Sequence, residues 1–273
     1  MPEDMIAGHL APVRVWDRGG VRPVVALHCS LAHSGAWGGL AGELTGVTIT
    51  ALDQPGHGRS ADWDGVGDIH TQTTRISVEV AEAVGAGAPV DLFGHSFGAT
   101  VALRIAVERP DLVRSLTLVE PVLFAAARAA DDPTYAPFRA RHVIVADLLA
   151  SGQRDAAIRH FHADWGTGVA FADLPDRQRG YMTDRIHLIA AQNDALLDDS
   201  AGLLGFMRLE SVGAPVLLVE GADSPPIIAA VHAELARRLP RATRLSVPGA
   251  GHMVPITHAG ALAPDVQAFL DGC

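Results

Sequence analysis

Gly94-His95-Ser96-Phe97-Gly98 sets a serine between two glycines, after the apolar run Val90 to Phe93 and ahead of a helical pattern from Phe97 to Glu108. A serine at such a strand–turn–helix junction sits on a turn tight enough to strain its backbone, and it demands small neighbours, which Gly94 and Gly98 supply. The helix that follows aims its positive dipole end at the hydroxyl. The pentapeptide alone is a weak signal; its setting makes it a strong one for a nucleophile. A serine hydroxyl is a poor nucleophile at neutral pH and needs an adjacent base. The chain has 13 histidines. His252 stands in the glycine-rich loop Gly249-Ala250-Gly251-His252, just past the apolar run Thr243 to Val247, whereas His258 opens a helix pattern and reads as a surface residue.

The elements that would position these residues are short apolar runs alternating with helix-like stretches. Pro23 to His28, Val47 to Leu52, Val90 to Phe93, Ser115 to Val119, Pro215 to Val219 and Thr243 to Val247 read as strands, most of them continuous enough to be buried on both faces. Val13 to Trp16, followed by Asp17-Arg18-Gly19-Gly20, reads as a strand entering a hairpin turn. Thr74 to Val84, Phe97 to Glu108, Ala229 to Leu239 and Ala259 to Leu270 carry helical periodicity. Such alternation predicts an α/β fold with a mostly parallel, doubly wound sheet. From about Pro121 to Ser211 no buried strand occurs; patches at His142 to Leu149, Arg154 to His162 and Arg185 to Leu196 suggest a helical insert between the strands near 115–119 and 215–219. The expected organisation is a core of residues 1–120 and 212–273 with a cap of residues 121–211.

Composition narrows the chemistry further. With 273 residues, 48% of them hydrophobic, the chain can bury a large core. A formal net charge of −10, from 31 acidic and 21 basic residues, argues against nucleic-acid and acidic membrane partners. All 21 basic residues are arginine, so Schiff-base chemistry, a Gly-Lys-Ser phosphate loop and a Ser-Lys hydrolase are excluded. Cys29 and Cys273 make neither a disulfide framework nor a zinc pair. His160 and His162 are two residues apart and do not share a helix face, so no metal is expected. No cofactor is implied either. Met1 to Leu10, with Glu3 and Asp4, lacks a signal pattern, and no apolar run is long enough to span a membrane; the expectation is a cytoplasmic protein.

Four motifs in order resemble the cap-bearing α/β-hydrolase superfamily: His28-Cys29-Ser30 after a strand, Asp53-Gln54-Pro55-Gly56-His57-Gly58-Arg59-Ser60, the turn at Ser96, and Gly249 to His252 after the last strand. The likeness spans nearly the whole chain. It implies the order serine, acid, histidine, which His252 fits. It also implies oxyanion donors in the N–H groups of Ser30 and Phe97, with Leu31 as the alternative to Ser30. Where family members often have His-Gly, this chain has His28-Cys29, and Cys29 reads as packing. The Asp53 to Ser60 loop is structural in the superfamily.

The acid departs from the usual pattern. Its customary place, after the strand Pro215 to Val219, falls on Ser224, with Asp223 one residue early. Ser224-Pro225 also reads as a helix N-cap with proline at the first helical position. Glu120 ends the strand Ser115 to Val119, the strand end where some members of the superfamily place a glutamate, and it is favoured over Asp223. The insert would cover Ser96 and shape a pocket, with Phe124, Phe138, Phe161, Trp165, Phe171 and Phe206 available as lining or, for most of them, as core.

A serine nucleophile disfavours the epoxide hydrolase and dehalogenase activities of the superfamily, which use aspartate. It suits a small, apolar carboxylic ester or lactone cleaved through an acyl-enzyme. Alternatives on the same triad are a carbon–carbon bond hydrolase, an acyltransferase or a perhydrolase. A ligand-binding receptor of hydrolase fold is the alternative without catalysis.

Overall fold

A computed structural model describes residues 5–273; the opening residues 1–4, including Glu3 and Asp4, lie outside the described residues. A short hairpin, β1 (Met5–Ile6) and β2 (His9–Leu10), precedes the main sheet. That sheet comprises β3 (Val13–Asp17), β4 (Arg22–Leu27), β5 (Val47–Leu52), β6 (Val90–His95), β7 (Val113–Val119), β8 (Val216–Gly221) and β9 (Ala242–Val247), in spatial order β3-β5-β4-β6-β7-β8-β9. Only β3 runs antiparallel, against β5; the other neighbours are parallel.

Parallel neighbours need crossovers, and helices supply them. They are α1 (Gly38–Glu43), α2 (Ile69–Gly85), α3 (Phe97–Glu108) and α11 (Pro226–Arg238), while α12 (Val254–Thr257) and α13 (Ala259–Asp271) follow the last strand. Seven short helices fill the interval between β7 and β8: α4 (Ala125–Ala129), α5 (Tyr135–His142), α6 (Ile144–Ala150), α7 (Arg154–Trp165), α8 (Asp176–Arg185), α9 (His187–Ala191) and α10 (Asn193–Asp198).

The largely buried strands β4, β6 and β7 fall where the sequence suggested, each within two residues at its ends. The hairpin reading of Asp17 to Gly20 is corrected. β3 and β4 are not paired, because β5 lies between them. The connection crosses the start of β5, where the Arg18 N–H donates to the Val47 carbonyl at 2.9 Å and the Gly46 N–H to the Arg18 carbonyl at 3.0 Å. A side chain on Gly20 would overlap the Gly46 carbonyl, so glycine permits the crossing. The predicted helix from Thr74 begins earlier, at Ile69, where the Asp68 carboxylate accepts the His70 N–H at 2.9 Å.

The N-terminal edge of the sheet is tied by one buried charge. Asp91 on β6 accepts from Arg22 Nε at 2.6 Å, Arg114 Nη2 at 2.6 Å and Ser115 Oγ at 2.6 Å, joining β4, β6 and β7. Arg22 also donates to the Leu270 carbonyl and so reaches α13. Removing the carboxylate strands two guanidinium groups. We expect Asp91→Ala to lower the unfolding free energy by about 3 kcal/mol, measured by urea denaturation.

Candidate active site

Every candidate side chain stands at or just past the C-terminal end of a parallel strand, the edge at which open α/β sheets bind ligands. β6 ends at His95 and α3 begins at Phe97, so Ser96 makes the whole turn, at φ 57° and ψ −119°. Its N–H donates to the Val119 carbonyl at 2.9 Å, which pins the turn to β7. A Cβ on Gly94 would sit 2.4 Å from the Ala99 Cα, and one on Gly98 2.3 Å from the Leu27 carbonyl. Both glycines therefore let α3 lie directly against the strands.

His252, just after β9, meets this serine: its Nε2 lies 3.0 Å from Ser96 Oγ. Its Nδ1 lies 2.8 Å from Glu120 Oε2. The tautomer that fits donates Nδ1–H to the carboxylate and accepts the serine proton at Nε2. Glu120 is fully buried, at φ 52°, and its other oxygen accepts the Gly221 N–H at 2.6 Å and the Ser224 hydroxyl at 2.7 Å. Burial alone would raise the Glu120 pKa; the hydrogen bond and charge of His252, with those two further donors, outweigh it and hold the carboxyl below its usual range.

Asp223 is not brought into this cluster. Its side chain is exposed, while its N–H donates to the Ala250 carbonyl at 2.9 Å. Ser224 is likewise not the N-cap that its sequence suggested. Pro225 precedes the first turn of α11 at Pro226, and the Ser224 hydroxyl is spent on Glu120.

Ser30 lines the same space as Ser96, and Phe97 follows Ser96 directly in the chain; among the described residues nothing accepts from the N–H of either. Leu31 is different. At φ 61° it turns its N–H to His57 Nε2, 3.1 Å away, and is not free for an oxyanion. His57 Nδ1 donates in turn to the Pro55 carbonyl at 2.9 Å. His28 Nε2 accepts the Gln54 N–H at 3.1 Å and Nδ1 donates to the Cys29 carbonyl at 2.7 Å. Burial drives His28 down to about 4 and His57 to about 3, so both rings stay neutral and can accept these bonds. Asp53 accepts the N–H groups of Ser34 at 2.8 Å and Arg59 at 3.0 Å, which closes the 53–60 loop. Cys29 is buried, and burial pushes its thiol up to about 12, which keeps it unreactive.

The insert covers Ser96. Ser30, Ser96 and His252 line a small chamber of about 20 Å³ with Phe124, Phe161, Trp165, Ile189 and Gln192, among others. His252 also lines a cleft of about 680 Å³ between residues 159–172 and the loops at 223–225 and 249–258. Trp165, the last residue of α7, packs edge-on against His252 with ring centroids 4.6 Å apart. Phe138 packs tilted against Phe124 with ring centroids 4.3 Å apart, Phe171 lines the outer cleft, and Phe206 is almost wholly exposed, serving neither pocket nor core. His160 bonds the Arg141 carbonyl while His162 packs on Phe171, so the two do not converge. Among the described residues no three His, Cys, Asp or Glu side chains form a metal-binding group, and no helix is long and apolar enough to cross a membrane.

Sequence reasoning missed three contributors. His95, the variable residue before Ser96, has Nε2 2.8 Å from the His252 carbonyl; burial and the His252 ring bring its pKa down to about 3, so it is a neutral donor that holds the His252 loop. Tyr181 on α8 donates to the Ala32 carbonyl at 2.7 Å and accepts the Gly58 N–H at 2.8 Å, tying the insert to both loops. Gln192 accepts the Ser30 hydroxyl at 2.8 Å. Ser224 is a fourth, singled out in the sequence but read there as a helix cap rather than as a donor to Glu120.

A family model described as the alpha/beta hydrolase family matches residues 24–265. The chain is 30% identical to Lipase LipV of Mycobacterium tuberculosis over 254 residues, covering 89% of this chain and 91% of that protein. It is 29% identical to the pimeloyl-[acyl-carrier protein] methyl ester esterase of Neisseria meningitidis, covering 82% of this chain and 83% of that enzyme. An alpha/beta hydrolase from Sphaerobacter thermophilus superposes with a TM-score of 0.69 at 24% identity, over 95% of this chain and 96% of that one, a likeness of fold.

The depressed Glu120 pKa has a testable consequence. Its stabilisation is present above the carboxyl pKa of the unfolded chain and is lost as pH falls through the lower folded value. Ser224→Ala removes one donor to the charged form. The variant should be less stable by about 1 kcal/mol near neutrality, and the deficit should shrink as pH falls below the usual carboxylate range and Glu120 takes up its proton in the folded state. Urea unfolding across that range checks this, and a deficit independent of pH would contradict it.

Proposed function

The chain belongs to the alpha/beta hydrolase family and is a hydrolase, and on that premise we propose that it cleaves a small carboxylic ester or lactone through an acyl-enzyme on Ser96. The observation that carries the reading is the run of two hydrogen bonds, Ser96 Oγ to His252 Nε2 at 3.0 Å and His252 Nδ1 to Glu120 at 2.8 Å. A lipase and a methyl ester esterase among the relatives support an ester bond as the target.

In this reading Ser96 Oγ attacks the carbonyl carbon as His252 Nε2 takes its proton. Glu120 holds the ring in the correct tautomer and stabilises the imidazolium. The N–H groups of Ser30 and Phe97 receive the developing oxyanion, which they can do without first breaking another bond. The imidazolium then gives its proton to the leaving oxygen as the carbon–oxygen bond breaks. Water, deprotonated by His252, attacks the acyl-enzyme, and the proton returns to Ser96 as the acid leaves.

Hydrolysis of short-chain p-nitrophenyl esters tests the assignment. Ser96→Ala should lower kcat by on the order of 10⁶-fold and Glu120→Gln by about 10⁴-fold, while Asp223→Asn leaves the rate unchanged. A wild type with no turnover of esters or lactones would end the esterase reading. A large loss in Asp223→Asn with none in Glu120→Gln would reverse the choice of acid.

A further inference from the structure

We propose that Gln192 sets the substrate class: it receives a hydrogen-bond acceptor oxygen on the acyl group close to the scissile carbonyl, so that oxygen-substituted acyl esters are preferred over plain alkyl ones. The proposal rests on the serine-hydrolase reading above.

Gln192 lies between α9 and α10 of the insert, is only 2% exposed, and lines the chamber that holds Ser96. Its Oε1 accepts the Ser30 hydroxyl at 2.8 Å. Its Nε2 is buried and has no partner among the described residues. A buried amide donor left unmade costs free energy that an aliphatic side chain of the same volume would not. The insert otherwise walls the chamber largely with apolar groups: Phe161, Trp165, Ile189 and Leu196. The other polar side chain it contributes, His142, is already bonded to Asn193 Oδ1 at 3.1 Å. An unmade donor beside the reacting serine therefore has a use when something carrying an acceptor enters.

The position of the donor says which part of the substrate it meets. His252 must reach the leaving oxygen, and the open cleft of about 680 Å³ lies on the His252 side, so the leaving group points there. The acyl group then points away, towards Ser30 and Gln192. The Ser30 N–H holds the carbonyl oxygen, and the Ser30 hydroxyl touches the Gln192 amide. Gln192 is thus about one side chain away from the oxyanion, within reach of an oxygen at the α or β carbon of the acyl chain.

Two isosteric esters isolate the effect. p-Nitrophenyl methoxyacetate differs from p-nitrophenyl butanoate by an ether oxygen in place of one methylene, and hydroxide-catalysed hydrolysis gives their intrinsic reactivity ratio. The wild type should favour the methoxyacetate in kcat/KM by about tenfold beyond that ratio. Gln192→Leu, with Gln192→Met as a second variant should the first fold poorly, should reduce the preference to the hydroxide ratio. A preference retained in these variants would overturn the proposal.

Binding to Ser96→Ala needs no turnover. Trp165 lines the chamber, so quenching of tryptophan fluorescence reports phenyl methoxyacetate and phenyl butanoate entering it. The former should bind about tenfold more tightly, and the difference should vanish in the Ser96→Ala, Gln192→Leu double variant. Equal affinities in Ser96→Ala would overturn the role of Gln192. The expected difference in affinity, with no wild-type turnover of either ester, would uphold Gln192 and reject the serine-hydrolase reading.

Discussion

A single negative charge out of water, on Glu120, constrains the whole candidate site. Removing a carboxylate from water costs several kcal/mol even after relaxation, and the compensation here comes from three separate places. The Gly221 N–H belongs to the end of β8, the Ser224 hydroxyl to the entrance of α11, and the His252 ring to the loop after β9. No one of these can shift without leaving a buried charge short of a donor. The position of the imidazole is thereby set from one side by the carboxylate, and its backbone is held from another by His95. What remains is a ring whose second nitrogen has only the serine to face.

Strain is concentrated at the same edge. Leu31, Ser96 and Glu120 follow β4, β6 and β7, which are consecutive neighbours in the sheet, and all three have positive φ, at 61°, 57° and 52°. Such conformations cost about 1–3 kcal/mol each, and each is held by a hydrogen bond of its own. Leu31 gives its N–H to His57, Ser96 to Val119, and Glu120 to Val219. The opposite edge of the same three strands is tied by Asp91 and its two arginines. Stability is drawn from one end of the sheet and strain is carried at the other, with the apolar strands linking the two.

How much of this was legible follows from which interactions are local. β4, β6 and β7 are largely buried, so their central residues stand out as mostly apolar runs. Ser96 and His252 were legible because a sharp turn and a glycine-rich loop leave local signatures. Glu120 came into view through the resemblance, which places a glutamate at this strand end in some family members, and through the need of a charge closing so apolar a strand for a partner. The crossing at Gly20 was not, since it depends on β5 inserting between β3 and β4, a pairing that no local pattern encodes. Ser224 misled because its local setting imitates a helix cap, while its actual partner is 104 residues away. Gln192 was opaque, and Trp165 could be read only as lining or core, for a related reason: the insert helices are short, and which of their faces meet Ser96 is decided by packing on the core.

The two voids that share the His252 ring bear on how a substrate reaches the serine. A chamber of about 20 Å³ has room for about one water, so no ester fits unless part of its wall moves. The core side of that wall is fixed by the sheet, the strained turns and the buried charge. The other side consists of insert helices of 12 residues or fewer, anchored to the core loops through Tyr181 and Gln192. Trp165 ends one of them, between His252 and Gly166, directly at the boundary between chamber and outer cleft. Displacing an aromatic edge from one ring disturbs far less than breaking any bond to Glu120. The alignment of the serine, the imidazole and the carboxylate is therefore held more firmly than the insert side of the wall.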